Sequence, residues 1–383
     1  MSVTFARGFR ASGVAAGLKE SGRPDLALLV ADGPCVAAGV FTTNAFPAAP
    51  VTLTRANLTT GIARALVANS GQANAGTGEA GLRDAVSMTE TAAGIFGCPA
   101  DDVLLCSTGV IGPRIDLDAY GAALPGAVNA LSTDGGEAFA DAICTTDTRA
   151  KLAVAEAGSY RVGGCAKGAG MIAPRLATLL AVITTDAPAP AGLLDTIVRE
   201  RVAPVWNSLT IDGCQSTNDT VLLLASGAAG GAVDETRLAD AIEVVAQDLA
   251  RQVAADAEGA TKTIVVQVDG AADRVSARAV GLAVAGSDLV KTAVFGADPN
   301  PGRILQAAGD AAVDVDPAAF RTSVGGVPVI EHGVVLPATD AKEALEGPEV
   351  VIAIDLGLGD ASATVFGCDL SYDYVRINAE YST

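Results

Sequence analysis

The chain has 383 residues, half of them hydrophobic, with 44 acidic and 25 basic side chains and one histidine, giving a formal charge of −19. A single histidine excludes metal sites built from several imidazoles and leaves His332 as the sole centre for a Ser-His-Asp arrangement, so catalysis would need another base. The acid excess, with only six lysines and no basic cluster, argues against a nucleic-acid or anionic-membrane partner.

From the N-terminus, residues 1–10 lack a long apolar run, so no signal peptide is read. Residues 26–31 and 35–41 are short apolar runs bounded by turn residues and predict buried strands. The segment 33–54 is uncharged and about long enough to cross a bilayer. Pro34, Pro47, Pro50 and Thr42-Thr43-Asn44 break it as a membrane helix, which predicts strand, loop, strand in a soluble, cytoplasmic protein. Further strands are predicted at 64–68 and 103–106, around a helix at 79–96 that Gly97 would cap. The nearest phosphate-loop candidate, 163–170, has Lys167 misplaced for a Walker loop and no Ser or Thr after it.

Downstream, residues 234–257 carry Leu238, Ile242, Val245, Leu249 and Val253 at three- and four-residue steps, the signature of an amphipathic helix. Strands follow at 262–268, 350–356 and 363–368. The length suits one large or two moderate domains of mixed α and β structure. Regular strand-helix alternation with a Gly-rich first turn, expected of a doubly wound sheet, is missing. Seven cysteines without a Cys-x-x-Cys pair suit buried thiols in a reducing compartment rather than disulfides or zinc.

One segment bears on chemistry. A glycine- and proline-containing loop, Lys167-Gly-Ala-Gly-Met-Ile-Ala-Pro174, runs into an apolar strand that starts at Thr178. By itself a strand-initial threonine is structural, since β-branched residues favour strands. An N-terminal threonine, however, supplies its own base: an α-amine with a reference pKa of about 7.7–8.0 accepts the hydroxyl proton near neutral pH. Thr178 could act so only after a cut between Ala177 and Thr178. The Thr178 hydroxyl would make that cut by attacking the Ala177 carbonyl, through an ester intermediate and its hydrolysis.

That segment resembles the self-cleavage region of the ornithine acetyltransferase family, also called glutamate N-acetyltransferase or the arginine biosynthesis bifunctional protein. The likeness covers nearly the whole chain. It includes Gly8-Phe-Arg-Ala-Ser-Gly-Val-Ala-Ala-Gly17, Phe41-Thr-Thr-Asn44, Asn69-Ser-Gly-Gln-Ala-Asn74, Ser107-Thr-Gly-Val-Ile-Gly112, Thr145-Thr-Asp-Thr148 and Ser216-Thr-Asn-Asp-Thr-Val221. It continues through Asp256-Ala-Glu-Gly-Ala-Thr-Lys262, residues 290–300 and residues 367–381. Pro301 departs from the tryptophan of many relatives, Gly76 from a common cysteine and Gln72 from an asparagine.

The resemblance implies an α/β fold, an N-terminal-nucleophile-like layered sandwich. It implies self-cleavage into an α chain, 1–177, and a β chain, 178–383, assembled as an α2β2 heterotetramer. Thr178 would be the nucleophile, taking acetyl from N-acetylornithine and passing it to glutamate by a ping-pong route in arginine biosynthesis. Thr108 and Gly109 would form the oxyanion hole. Substrate contacts map onto Thr145, Lys167, Thr178, Glu258, Asn378 and Thr383. Lys167 would pair with a substrate carboxylate and Glu258 with a substrate ammonium. No metal or cofactor is implied; some relatives also accept acetyl-CoA as a donor substrate, and the sequence leaves open whether this chain does.

Two other readings stand beside this one. A self-processing aminopeptidase or amidase would use the same nucleophile with water as acceptor. A non-enzymatic acidic binding protein would remain uncleaved and leave the Thr178 context unexplained.

Overall fold

A computed structural model describes residues 2–174 and 179–380. Two sheets organise them. The larger contains β1 (Phe9–Val14), β2 (Leu26–Phe41), β3 (Ile62–Asn69), β4 (Val103–Ser107), β5 (Lys151–Ala157), β6 (Tyr160–Lys167), β7 (Leu180–Thr185) and β8 (Thr220–Ala225). Its order is β4-β3-β2-β8-β7-β6-β5, with β1 beside β2. The smaller contains β9 (Thr263–Ala271), β10 (Arg321–Val324), β11 (Val327–Glu331), β12 (Val334–Val335), β13 (Glu349–Asp355) and β14 (Ala361–Cys368). It is ordered β12-β11-β10-β13-β9-β14.

The strands of the larger sheet are apolar on both sides because both sides are covered. In β7 and β8, Ala181, Ile183, Val221 and Leu223 face one core, while Leu180, Val182, Leu222 and Leu224 face another. The first core is closed by the helix Glu235–Ala255, through Leu238, Ile242, Val245, Leu249 and Val253, and by Trp206. Asp234 caps that helix, its carboxylate accepting the Arg237 N–H. Phe139 and Ile143 of the helix Gly136–Ile143 enter the opposite core. Leu26, Leu28, Val67 and Leu105 meet Met88 and Ala92 of the helix Gly78–Phe96, with Tyr120 and Leu124 of the helix Leu117–Asn129. In the smaller sheet, Ile264, Val266, Ile352 and Ile354 pack on Val280 and Val284 of the helix Arg274–Ala285. This is the layered α/β sandwich that the family resemblance implies.

Two local readings change. The strands predicted at 26–31 and 35–41 are one strand, β2, whose register against β3 shifts between Val30 and Cys35. Pro34 sits inside that irregularity, where a missing ladder N–H is tolerated. The second strand predicted within 33–54 is instead the helix Ala49–Asn57: Pro50 lies in its first turn, where no N–H is needed, and Val51 and Thr54 point inward. The phosphate-loop candidate also belongs to a strand for most of its length. Gly163 and Gly164 lie in β6, where an added Cβ would stand 2.1 Å from the Ser2 carbonyl oxygen at one and 2.9 Å from Val245 Cγ1 at the other. These glycines permit close packing on the two faces of the strand.

The predicted cut falls between β6 and β7, which are antiparallel neighbours with Lys167 opposite Leu180. Strands β7 and β8 insert between β2 and β6. The two pieces on either side of the cut therefore share one sheet and one core. Five cysteines are buried as expected, but Cys98 is half-buried and Cys214 exposed, which corrects the reading of all seven as buried. Burial pushes the Cys35, Cys106 and Cys144 thiols up to about 12, which keeps them inert. Among the described residues, no helix is long and apolar enough to cross a membrane.

Candidate active site

Strand β4 ends at Ser107, and the chain then turns through Thr108 and Gly109. Asn218 holds this turn by donating to the Ser107 and Ala73 carbonyls at 2.8 and 2.7 Å. The Thr108 N–H is occupied by the Asn69 carbonyl at 2.9 Å. The Thr108 hydroxyl and the Gly109 N–H are left as donors, and the latter makes no hydrogen bond among the described residues. Gly109 has φ +127°, and an added Cβ would lie 2.3 Å from the Gly71 carbonyl carbon, so the turn requires glycine.

Lys167, the last residue of β6, is 3% exposed and donates to the Thr108 hydroxyl oxygen at 3.0 Å. With that oxygen accepting from an ammonium, the hydroxyl proton is turned away from Lys167. Burial lowers the Lys167 pKa, against the opposing pull of Asp147 and Cys144. The next amide, Gly168 N–H, donates to Asp147 Oδ1 at 2.7 Å.

Glu258 follows the helix Glu235–Ala255, and its N–H donates to the Ala169 carbonyl at 2.8 Å. An added Cβ at Gly170 would stand 2.5 Å from Glu258 Oε2, so glycine lets the loop lie against that carboxylate. Asn378, on the helix Tyr372–Glu380, donates to Glu258 Oε2 at 3.0 Å. Thr145 is in the loop after the helix Gly136–Ile143, with its N–H on Asp147 Oδ2 at 2.9 Å. Thr108, Gly109, Thr145, Lys167, Glu258 and Asn378 all line one cleft. Thr178, Ala177 and Thr383 lie outside the described residues.

Residues without a role in the sequence reading complete the surroundings. Asp219 is fully buried, and its Oδ1 accepts the Leu179 N–H at 3.3 Å. Burial raises its carboxyl well above the ordinary range, although Leu179 N–H, Thr42 and Lys167 all favour the ionised form. Asp212 accepts the Met171 and Ile172 N–H groups at 2.6 and 2.9 Å and thereby shapes the loop after Lys167. Asp147, Lys151 and Asp256 form a buried ion cluster beneath the cleft. Asp147, Asp219 and Asp256 stand inside the quoted motifs, which was the one available signal; Asp212 and Lys151 stand in none. His332 is exposed on the turn between β11 and β12, with Nδ1 2.9 Å from the Ala318 carbonyl, away from the cleft. A larger groove of about 930 Å³ runs along β2 and the helix Ala191–Ile197 and contains none of the predicted site residues.

The ArgJ family model matches residues 10–383. The chain is 46% identical to the arginine biosynthesis bifunctional protein ArgJ of Thermobifida fusca, covering 100% of both chains. It is 45% identical to the protein of the same name from Thermosynechococcus vestitus, covering 100% of this chain and 98% of the relative. A solved structure, ornithine acetyltransferase complexed with ornithine from Mycobacterium tuberculosis, shows 42% identity and a TM-score of 0.42 over 46% of this chain and 95% of its own.

Proposed function

Because the chain belongs to the ArgJ family, we propose that it is a glutamate N-acetyltransferase that moves acetyl from N-acetylornithine to glutamate through an ester on Thr178. The observation that carries this reading is the convergence of Thr108, Gly109, Thr145, Lys167, Glu258 and Asn378, far apart in sequence, on one cleft. Cleavage between Ala177 and Thr178 frees the α-amine of Thr178. That amine takes the hydroxyl proton as the oxygen attacks the acetyl carbonyl of acetylornithine. The Thr108 hydroxyl and the Gly109 N–H receive the developing oxyanion. Collapse breaks the C–N bond, the α-nitrogen of ornithine takes the proton, and acetyl remains on Thr178. The glutamate α-amine then attacks the ester, N-acetylglutamate leaves, and the hydroxyl is restored.

In this reading Lys167 faces a substrate carboxylate and Glu258, steadied by Asn378, a substrate ammonium. N-acetylornithine carries both a carboxylate and a side-chain ammonium, so this pair of charges orients the donor; glutamate offers Lys167 a carboxylate, while its single amine is the nucleophile that reaches the ester.

The test is direct: purified protein with N-acetylornithine and glutamate should form N-acetylglutamate and ornithine in equal amounts. Free acetate released at the same rate without glutamate would favour the amidase alternative and reject the transferase. Replacing acetylornithine with acetyl-CoA shows whether the second donor is used.

Gly109→Ala should lower kcat by about 10²–10³-fold, the usual loss on removing one oxyanion donor. The new methyl would push the turn off Gly71 and displace its N–H. Steady-state kinetics on protein of wild-type circular dichroism checks this, and a kcat within threefold of wild type, roughly the noise of a neutral change, would remove Gly109 from the oxyanion hole.

A further inference from the structure

Beneath the cleft, Lys151 is fully buried and bridges two carboxylates, Asp147 and Asp256, that are themselves 0% and 5% exposed. Such a cluster is costly to desolvate and is a poor device for stability alone. Its carboxylates instead bond backbone beside residues that line the cleft. Asp147 Oδ2 accepts the Thr145 N–H at 2.9 Å, and Oδ1 accepts the Gly168 N–H at 2.7 Å, one residue beyond Lys167. Asp256 accepts the Thr148 N–H at 3.1 Å and its hydroxyl, and stands two residues before Glu258. Asp147 and Lys151 lie before the predicted cut and Asp256 after it, so the cluster also joins the two pieces.

We propose that Asp147, Lys151 and Asp256 are positioning residues: a buried ionic bridge that fixes the Thr145 backbone, the Lys167 ammonium and the Glu258 loop in one arrangement across the cleavage point. This rests on the reading of Lys167 as the carboxylate contact. The charged and titratable groups facing Lys167 are Asp147, Cys144, Lys151 and Asp219, with Lys19 further out and Glu258 on the loop across the cleft. Asp147 favours its protonated form and Lys151 opposes it.

The bridge therefore predicts shifts of opposite sign, which a merely structural role would not produce. In Asp147→Asn, the alkaline limb of kcat/KM for glutamate should move down by roughly one pH unit, since Lys167 loses an opposite charge. KM for glutamate should rise about tenfold, with kcat changed less than about threefold. In the charge-balanced double variant Lys151→Met/Asp256→Asn, a like charge is removed and the limb should move up. Circular dichroism and intact mass check folding and cleavage of each protein; if Asp147→Asn fails to fold, the direction of the limb in the double variant decides. Limbs unmoved in folded protein, or moved in the same direction in both, overturn the bridge. Lys167→Met keeps the two readings apart. An unchanged KM there overturns the carboxylate contact, whereas a raised KM there with unmoved limbs elsewhere overturns the bridge alone.

Discussion

Thr178→Ala should give one uncleaved chain of 383 residues on denaturing electrophoresis, where the wild type gives two fragments meeting at Ala177 and Thr178. Acetyl transfer should fall by about 10⁴–10⁶-fold, because removing a nucleophile abolishes the covalent route and leaves only binding and the oxyanion donors. In the proposed mechanism both effects have one cause: the same hydroxyl would attack first the peptide carbonyl before it and later the acetyl group of the substrate. The fold should be unaffected, since β7 begins only at Leu180 and its ladder with β6 and β8 is independent of the cut. Intact mass reads the first effect and N-acetylglutamate formation the second. Two fragments from the variant would reject self-processing by Thr178, and retained transfer in an uncleaved variant would reject its role as nucleophile.

Lys151→Met should cost about 3–5 kcal/mol of stability, the usual penalty for removing one partner from a buried ionic contact. Two carboxylates lose their common ammonium in a buried site. Burial alone would raise the Asp147 carboxyl, but Lys167, Lys151 and the Gly168 N–H outweigh it and hold it down to about 2. A depressed folded-state value means that Asp147 stabilises the fold above its unfolded pKa of about 3.9 and that this contribution is lost as pH falls toward 2. The variant should therefore be most destabilised near neutral pH, and the gap to wild type should narrow below about pH 4 and be lost toward pH 2. Urea titrations at pH 7 and pH 3 measure both gaps, and equal midpoints for the two proteins at pH 7 would refute the assignment.

Much of the fold was legible locally where strands are buried on both faces or helices amphipathic. Residues 103–106 and 350–356 read as strands because their runs are continuously apolar, and β4 and β13 are found there. The step of Leu238, Ile242, Val245 and Leu249 placed a helix, and Glu235–Ala255 is that helix. The short strands β10 to β12 at the edge of the second sheet have too few inward residues to show such a pattern. The helix Ala49–Asn57 was missed because prolines read as breakers unless their place in the first turn is known.

The identity of the site residues was carried by motif likeness, and the family by the whole ordered series of motifs. A run such as Ser107-Thr-Gly-Val-Ile-Gly112 fixes backbone needs and side-chain chemistry over a few residues, so it is readable without a fold. The sequence by itself thus determined the family, the main strands and helices, and which residues could do chemistry with one histidine. Only the tertiary structure decided that the Thr108 hydroxyl, and not its amide, is free to donate, because Asn69 takes the amide. It likewise decided that the pieces flanking Thr178 interleave in one sheet, and that Lys151 is buried between Asp147 and an Asp256 more than a hundred residues on. The physical reason is the same in each case: hydrogen-bond occupancy and desolvation depend on partners brought together by packing, and no local pattern of residue types encodes them.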